Sequence, residues 1–134
     1  MKKITFLLLT FLCSYSGYSQ FTEGFEGASF PPTGWLVTDN GVGTTVSWIR
    51  SNTQPVNSGV WAAYMNRENV GPGNTSQDWL ITNQLVVPAN GQLKFYSRST
   101  LAGNQGTLYQ VRVSTNATQN DLSAYNVIQQ YTEN

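Results

Sequence analysis

Apolar and polar residues alternate in short runs along this chain, and turn-forming residues separate the runs. The clearest case lies in the middle. Asp78-Trp79-Leu80-Ile81-Thr82, then Leu85-Val86-Val87-Pro88, then Gln92-Leu93-Lys94-Phe95-Tyr96-Ser97 reads as two or three short strands. Leu93 and Phe95 alternate with Gln92, Lys94 and Tyr96, which is the period of a strand with one face on a core. Pro88-Ala89-Asn90-Gly91 is the turn between them: Pro fixes one φ, and Asn-Gly tolerates the positive φ of a hairpin. The other segments are expected to lie against this stretch.

The same pattern recurs on both sides. Phe21, Glu23 and Phe25 would share one face of an opening strand, with Thr22, Gly24 and Glu26 on the other. Phe30 to Trp35 is a Pro-rich loop leading into a strand over Trp35–Thr38, and Asp39-Asn40-Gly41-Val42-Gly43 is a turn. Strands are expected at Trp48–Arg50 and Val60–Asn66, with a polar loop from Glu68 to Gln77. Thr107 to Ser114 alternates cleanly, with Tyr109, Val111 and Val113 on one face and Leu108, Gln110 and Arg112 on the other. Asn120 to Tyr125 reads as a turn or a single helical turn, and Val127–Tyr131 as a last strand. Eight or nine short strands with turns between them predict an all-β sandwich. The chain stops just after a strand that would leave a sheet edge open, so a fragment of a longer protein, lacking its last strands, is expected.

Composition supports this picture. The 134 residues suffice for one domain. Charged residues make up 10 %, against a usual share of about 25 %, and Gly, Asn, Ser, Thr and Gln fill the difference. Polar turns between short strands give such a composition, whereas long amphipathic helices do not.

The first 19 residues read as a signal peptide: Lys2-Lys3, then an apolar run from Ile4 to Cys13, then small residues at Gly17 and Ser19. Cleavage after Ser19 would leave Gln20 first. An uncleaved anchor is the weaker alternative, because the run is short for a bilayer. Acylation at Cys13 is weaker still, since Leu12 stands where a lipoprotein signal has a small residue. The expected product is exported, secreted or held at the cell surface, with no membrane insertion after signal removal.

Loss of the signal leaves five basic residues (Arg50, Arg67, Lys94, Arg98, Arg112) and seven acidic ones (Glu23, Glu26, Asp39, Glu68, Asp78, Asp121, Glu133), a net charge of −2. No basic patch is visible, which argues against nucleic acid as a partner. The chain has no His, and its one Cys lies in the signal. Zinc therefore lacks its usual ligands, and no Ser-His or Cys-His nucleophile pair exists. A carboxylate pair could hydrolyse a glycoside, but seven scattered acids single out no pair. An exported domain without disulfides often needs another staple, and a bound metal is one.

Phe25-Glu26-Gly27, then Pro32-Thr33-Gly34-Trp35, an Asp/Gly-rich turn and Trp48, then Asp78-Trp79-Leu80-Ile81-Thr82 and Gly91-Gln92-Leu93-Lys94-Phe95 form an ordered series. It resembles the cleaved-adhesin, or choice-of-anchor J, domain of secreted Bacteroidetes proteins, including the haemagglutinin/adhesin domains attached to gingipain-type proteases. With Gly106 to Val113 added, it is also similar to the MAM domain. The resemblance runs from about Phe21 to Tyr131. It implies a jelly-roll β-sandwich, a non-enzymatic role in adhesion to extracellular protein, glycan or haem-bearing partners, and bound calcium. By position it makes Glu26 and Asp78 candidate calcium ligands, with Asp39 a weaker third.

Each residue also has a plainer reading. Glu26, Asp78 and Asp39 can be solvated strand-end or turn residues. Trp35, Trp48, Trp61 and Trp79 suit a sandwich core. Trp61, following Asn57-Ser58-Gly59, is the best candidate among them for a glycan platform. Three functions stay open: an adhesion module, a carbohydrate-binding accessory domain of a secreted hydrolase or protease, and a structural spacer.

Overall fold

A computed structural model describes residues 20–133, and the signal-peptide reading of residues 1–19 lies outside them. The described chain is all-β apart from one 3-10 turn. Its strands are β1 (Leu36–Asp39), β2 (Ile49–Ser51), β3 (Ala62–Tyr64), β4 (Asp78–Ile81), β5 (Leu108–Val113) and β6 (Asn126–Thr132), with the 3-10 turn at Leu122–Ala124. They form three antiparallel two-stranded sheets, β1 with β4, β2 with β3, and β5 with β6.

Each pairing follows from its residues. β1 and β4 align Leu36 with Ile81 and Val37 with Leu80, so apolar side chains meet across the ladder. Ile81 is the one apolar side chain among the described residues that is nearly fully buried. The ladder continues past Asp39, where the Asn40 N–H donates to the Gln77 carbonyl (3.1 Å). In β5 and β6, Tyr109 pairs with Tyr131 and their rings stack at 4.7 Å, but burial along β5 does not follow the expected alternation, since the neighbours Val111 and Arg112 are both half-buried and the rest of the strand is exposed. The register shifts between Val111 and Arg112, leaving Ile128 as the extra residue of a bulge. Beyond it, the Arg112 guanidinium lies 4.8 Å from the Trp79 ring centre.

The β5–β6 ribbon is tied to the β1–β4 pair. Tyr125 meets Trp79 edge-on at 5.7 Å. The Gln119 amide donates to both the Gly34 and Thr82 carbonyls at 2.8 Å, bridging the entry to β1 and the exit of β4.

Two expectations fail. Phe21 to Phe25 is not a strand: Phe25 has φ 60°, outside the extended region, and the Glu23 carboxylate accepts the Phe25 N–H at 2.5 Å. The arms flanking Pro88–Gly91 do not pair either. The turn itself forms, with the Gly91 N–H donating to the Pro88 carbonyl at 2.8 Å. Its one positive φ is 66°, at Asn90, the third position, which is the pattern of a type II turn. Such a turn splays its arms, whereas hairpins use the primed types. Val86 (96 % exposed) and Tyr96 (80 %) thus face solvent, and β4 pairs with β1 alone.

Candidate functional site

The turn after β1 and the loop before β4 bring acidic residues together. Asp39 ends β1, Asp78 begins β4, and the two are direct partners in the ladder. The Asp39 carboxylate accepts the Gly41 N–H at 2.6 Å, the local bond by which Asp-Asn-Gly closes its turn. Asp78 Oδ2 accepts the Ser76 hydroxyl at 2.7 Å. Asp78 Oδ1 is buried with no hydrogen-bond partner. Burial raises the Asp78 pKa, the Ser76 bond opposes this, and the charges of Asp39 and Glu68 add to the rise.

Glu68 is the residue that sequence reasoning left in a loop. Its carboxylate takes the Thr45 hydroxyl and the Val46 N–H. It is drawn in because Gly43, at φ 71°, has no side chain: a Cβ there would lie 2.8 Å from Glu68 Oε2 and 3.1 Å from Ser76 Oγ. The signal available in the sequence was Gly43 in a turn that also supplies Asp39, but nothing local links either to position 68.

Calcium takes six to eight oxygen ligands. Asp39, Asp78, Glu68 and Ser76 offer only oxygens, and Asp78 Oδ1 is buried without a hydrogen-bond partner, so this set of residues suits a hard cation such as calcium. Among the described residues no three acidic, His or Cys side chains already converge as a metal-holding group. Occupancy would therefore require the carboxylates to close on the ion.

Glu26 has a different set of partners. Its Oε1 accepts the N–H groups of Val60 and Trp61, both at 2.9 Å. These bonds hold its pKa below the usual carboxylate range, against an opposing effect of desolvation and with a lesser contribution from the Arg50 charge. The Arg50 guanidinium donates to the Glu26 carbonyl at 3.2 Å and lies 3.7 Å from the Trp61 ring centre. Glu26, Arg50 and Trp61 thus form one clamp on the turn before β3. One face of the half-buried Trp61 is covered by a guanidinium, while Val60 beside it is 58 % exposed. Trp48 donates its indole N–H to the Asp78 carbonyl at 3.2 Å, and so serves as a brace for β4.

Compared with protein-family models, with curated proteins and with solved structures, the chain finds no match. Among the described residues, no helix is long and apolar enough to cross a membrane.

Proposed function

We propose that this chain is an exported, non-catalytic adhesion module of jelly-roll type, stabilised by calcium, that attaches to extracellular protein or glycan. The observation that carries the calcium part is the Asp39–Asp78 pair: two carboxylates opposite each other in one ladder, with a third, Glu68, close by and one buried oxygen unpartnered. Like charges directly opposite in a ladder destabilise it, and a divalent cation would reverse the sign. Asp39, Asp78 and Glu68 would hold the ion, with Ser76 assisting. Glu26 acts instead as the clamp for the Trp61 turn.

The adhesion part rests on the ordered series of motifs and on the apolar side chains that the three small sheets leave in solvent, Ile128 (57 %) and Leu108 (56 %) among them. The reading as a carbohydrate-binding accessory domain is favoured by Trp61, whose ring is fixed by Arg50. Binding of the purified protein to immobilised fibrinogen and fibronectin, with and without calcium, tests the proposal. Calcium-dependent capture is expected. Binding to neither protein, and to no glycan of an array, at any calcium level would leave a structural spacer.

A further inference from the structure

A cleft of about 390 Å³ lies at the entry to β1, and none of Asp39, Asp78 and Glu68 lines it. Its lining includes Phe21, Phe25, Trp35, Glu23, Thr33 and Asn83. The volume falls within the range of about 300–1,000 Å³ usual for small-molecule sites. Phe21 and Trp35 lie at 6.2 Å with 30° between their planes, and Phe25 meets Trp35 edge-on at 5.8 Å. Trp35 thus packs against both phenylalanine rings of the lining.

The backbone holds this arrangement firmly. Gly34 at φ 82° closes the turn in which the Trp35 N–H donates to the Pro32 carbonyl at 2.9 Å. A Cβ at Gly34 would lie 3.3 Å from the Asn83 Cβ, so the missing side chain lets Asn83 stand beside Trp35. Gln119 ties Gly34 to Thr82 behind them. Phe25 is kept at a φ of 60°, a conformation that costs a bulky residue about 1–3 kcal/mol and gathers at ligand sites.

The chemistry of the lining narrows the ligand. Among the described residues no cationic side chain lines the cleft, whereas Glu23 does, which disfavours a phosphate, sulfate or carboxylate group. Glu23 binds the Phe25 N–H through Oε1, leaving Oε2 as an acceptor. Asn83 donates its amide nitrogen to the Gln84 carbonyl at 3.3 Å, leaving its oxygen as an acceptor. The lining therefore asks for a ligand rich in hydroxyl donors that also has an apolar face for Trp35 and Phe21. A pyranose has both, in its hydroxyls and its C–H face.

We propose that this cleft is a saccharide-binding subsite, with Trp35 as the stacking platform and Glu23 and Asn83 as hydroxyl acceptors. The proposal deepens the adhesion reading and rests on it only for the chain's meeting extracellular glycans. It does not depend on calcium.

The test is saturation-transfer NMR on the full chain after signal removal. Methyl β-galactopyranoside, methyl α-mannopyranoside and methyl N-acetyl-β-glucosaminide serve as probes, with tetramethylammonium as the control cation. Saturation transfer to the ring C–H protons of at least one glycoside is expected. Glu23→Gln should weaken that binding about tenfold, the effect of one lost hydrogen bond to a charged group, and Asn83→Ala, which removes an exposed neutral acceptor, should weaken it about fivefold. Val86→Ala, at a solvent-facing position outside the cleft, should leave it unchanged. Glu23→Gln preserves the side-chain shape, so it keeps the test valid if another variant fails to fold. Transfer to no glycoside, transfer to tetramethylammonium alone, or loss of glycoside binding in Val86→Ala with retention in Asn83→Ala would each overturn the proposal. Capture of fibronectin without any glycoside signal would overturn it while leaving the adhesion reading intact.

Discussion

Asp39 and Asp78 are paired residues across the end of the β1–β4 ladder, and burial together with neighbouring negative charge raises the Asp78 pKa. A ladder end built this way is weakened by its own ionised carboxylates and strengthened by whatever neutralises them.

Calcium should therefore raise the melting temperature. A ligand that binds only the folded state adds about 2.7 kcal/mol at a hundred times its Kd. For a domain of this size the expected rise is several degrees by differential scanning fluorimetry, reversed by chelator. Equal midpoints with calcium and with chelator would remove the metal from the proposal. Asp78→Asn should abolish the calcium response and at the same time stabilise the calcium-free protein, because the amide carries no charge to desolvate.

The two perturbed carboxylates predict opposite acid behaviour in the calcium-free protein. Asp78 has a folded pKa above its unfolded one, so the folded state binds the proton more tightly. Its contribution grows as pH falls through the raised pKa and is complete below the ordinary value of about 4. Glu26 has a folded pKa below its unfolded one. Its stabilisation is present above the ordinary value of about 4 and is lost as pH falls through the lowered pKa. Denaturant midpoints measured from neutral pH downward should rise first and then fall. Asp78→Asn should remove the rise, and Glu26→Gln should soften the fall.

Gly59 sits at φ 73°, and a Cβ there would lie 2.8 Å from the Glu26 Cδ. Gly59→Ala should cost at least the 1–2 kcal/mol, roughly, of a left-handed non-glycine residue. It should also push the Glu26 carboxylate off the Val60 and Trp61 N–H groups. Tryptophan fluorescence should report the loosening, since Trp61 loses its fixed position under Arg50. An unchanged spectrum and midpoint would show that the clamp is unimportant.

Gln119→Ala removes one amide that bridges Gly34 and Thr82 from 85 and 37 residues away. The loss of these bonds, of which the one to Thr82 is part-buried and the one to Gly34 exposed, should cost about 1–2 kcal/mol. Hydrogen exchange should then quicken in β1 and β4 together. Faster exchange confined to the Gln119 loop would mean that the bridge carries no load.

Local pattern placed five of the six strands to within a residue or so, and the sixth, β3, inside a longer expected run. Trp48–Arg50 against β2 and Thr107–Ser114 against β5 are examples. These segments carry their own signal: alternation with a period of two, bounded by Gly, Pro or Asn. The turn at Asp39-Asn40-Gly41 was equally legible, since its bonds run between residues two apart. Tertiary structure decided the rest. Whether Leu85–Val87 and Gln92–Ser97 pair depended on Asn90 taking its positive φ at the third turn position, a choice the letters Asn-Gly leave open. Glu68 comes near enough to Asp78 for its charge to be felt there because Gly43 leaves room for it where two distant loops meet. Asn83 came beside Trp35 through a bridge from Gln119. Short-range alternation and turn chemistry are written in neighbouring residues, whereas the company a carboxylate or a ring keeps depends on how separate segments pack.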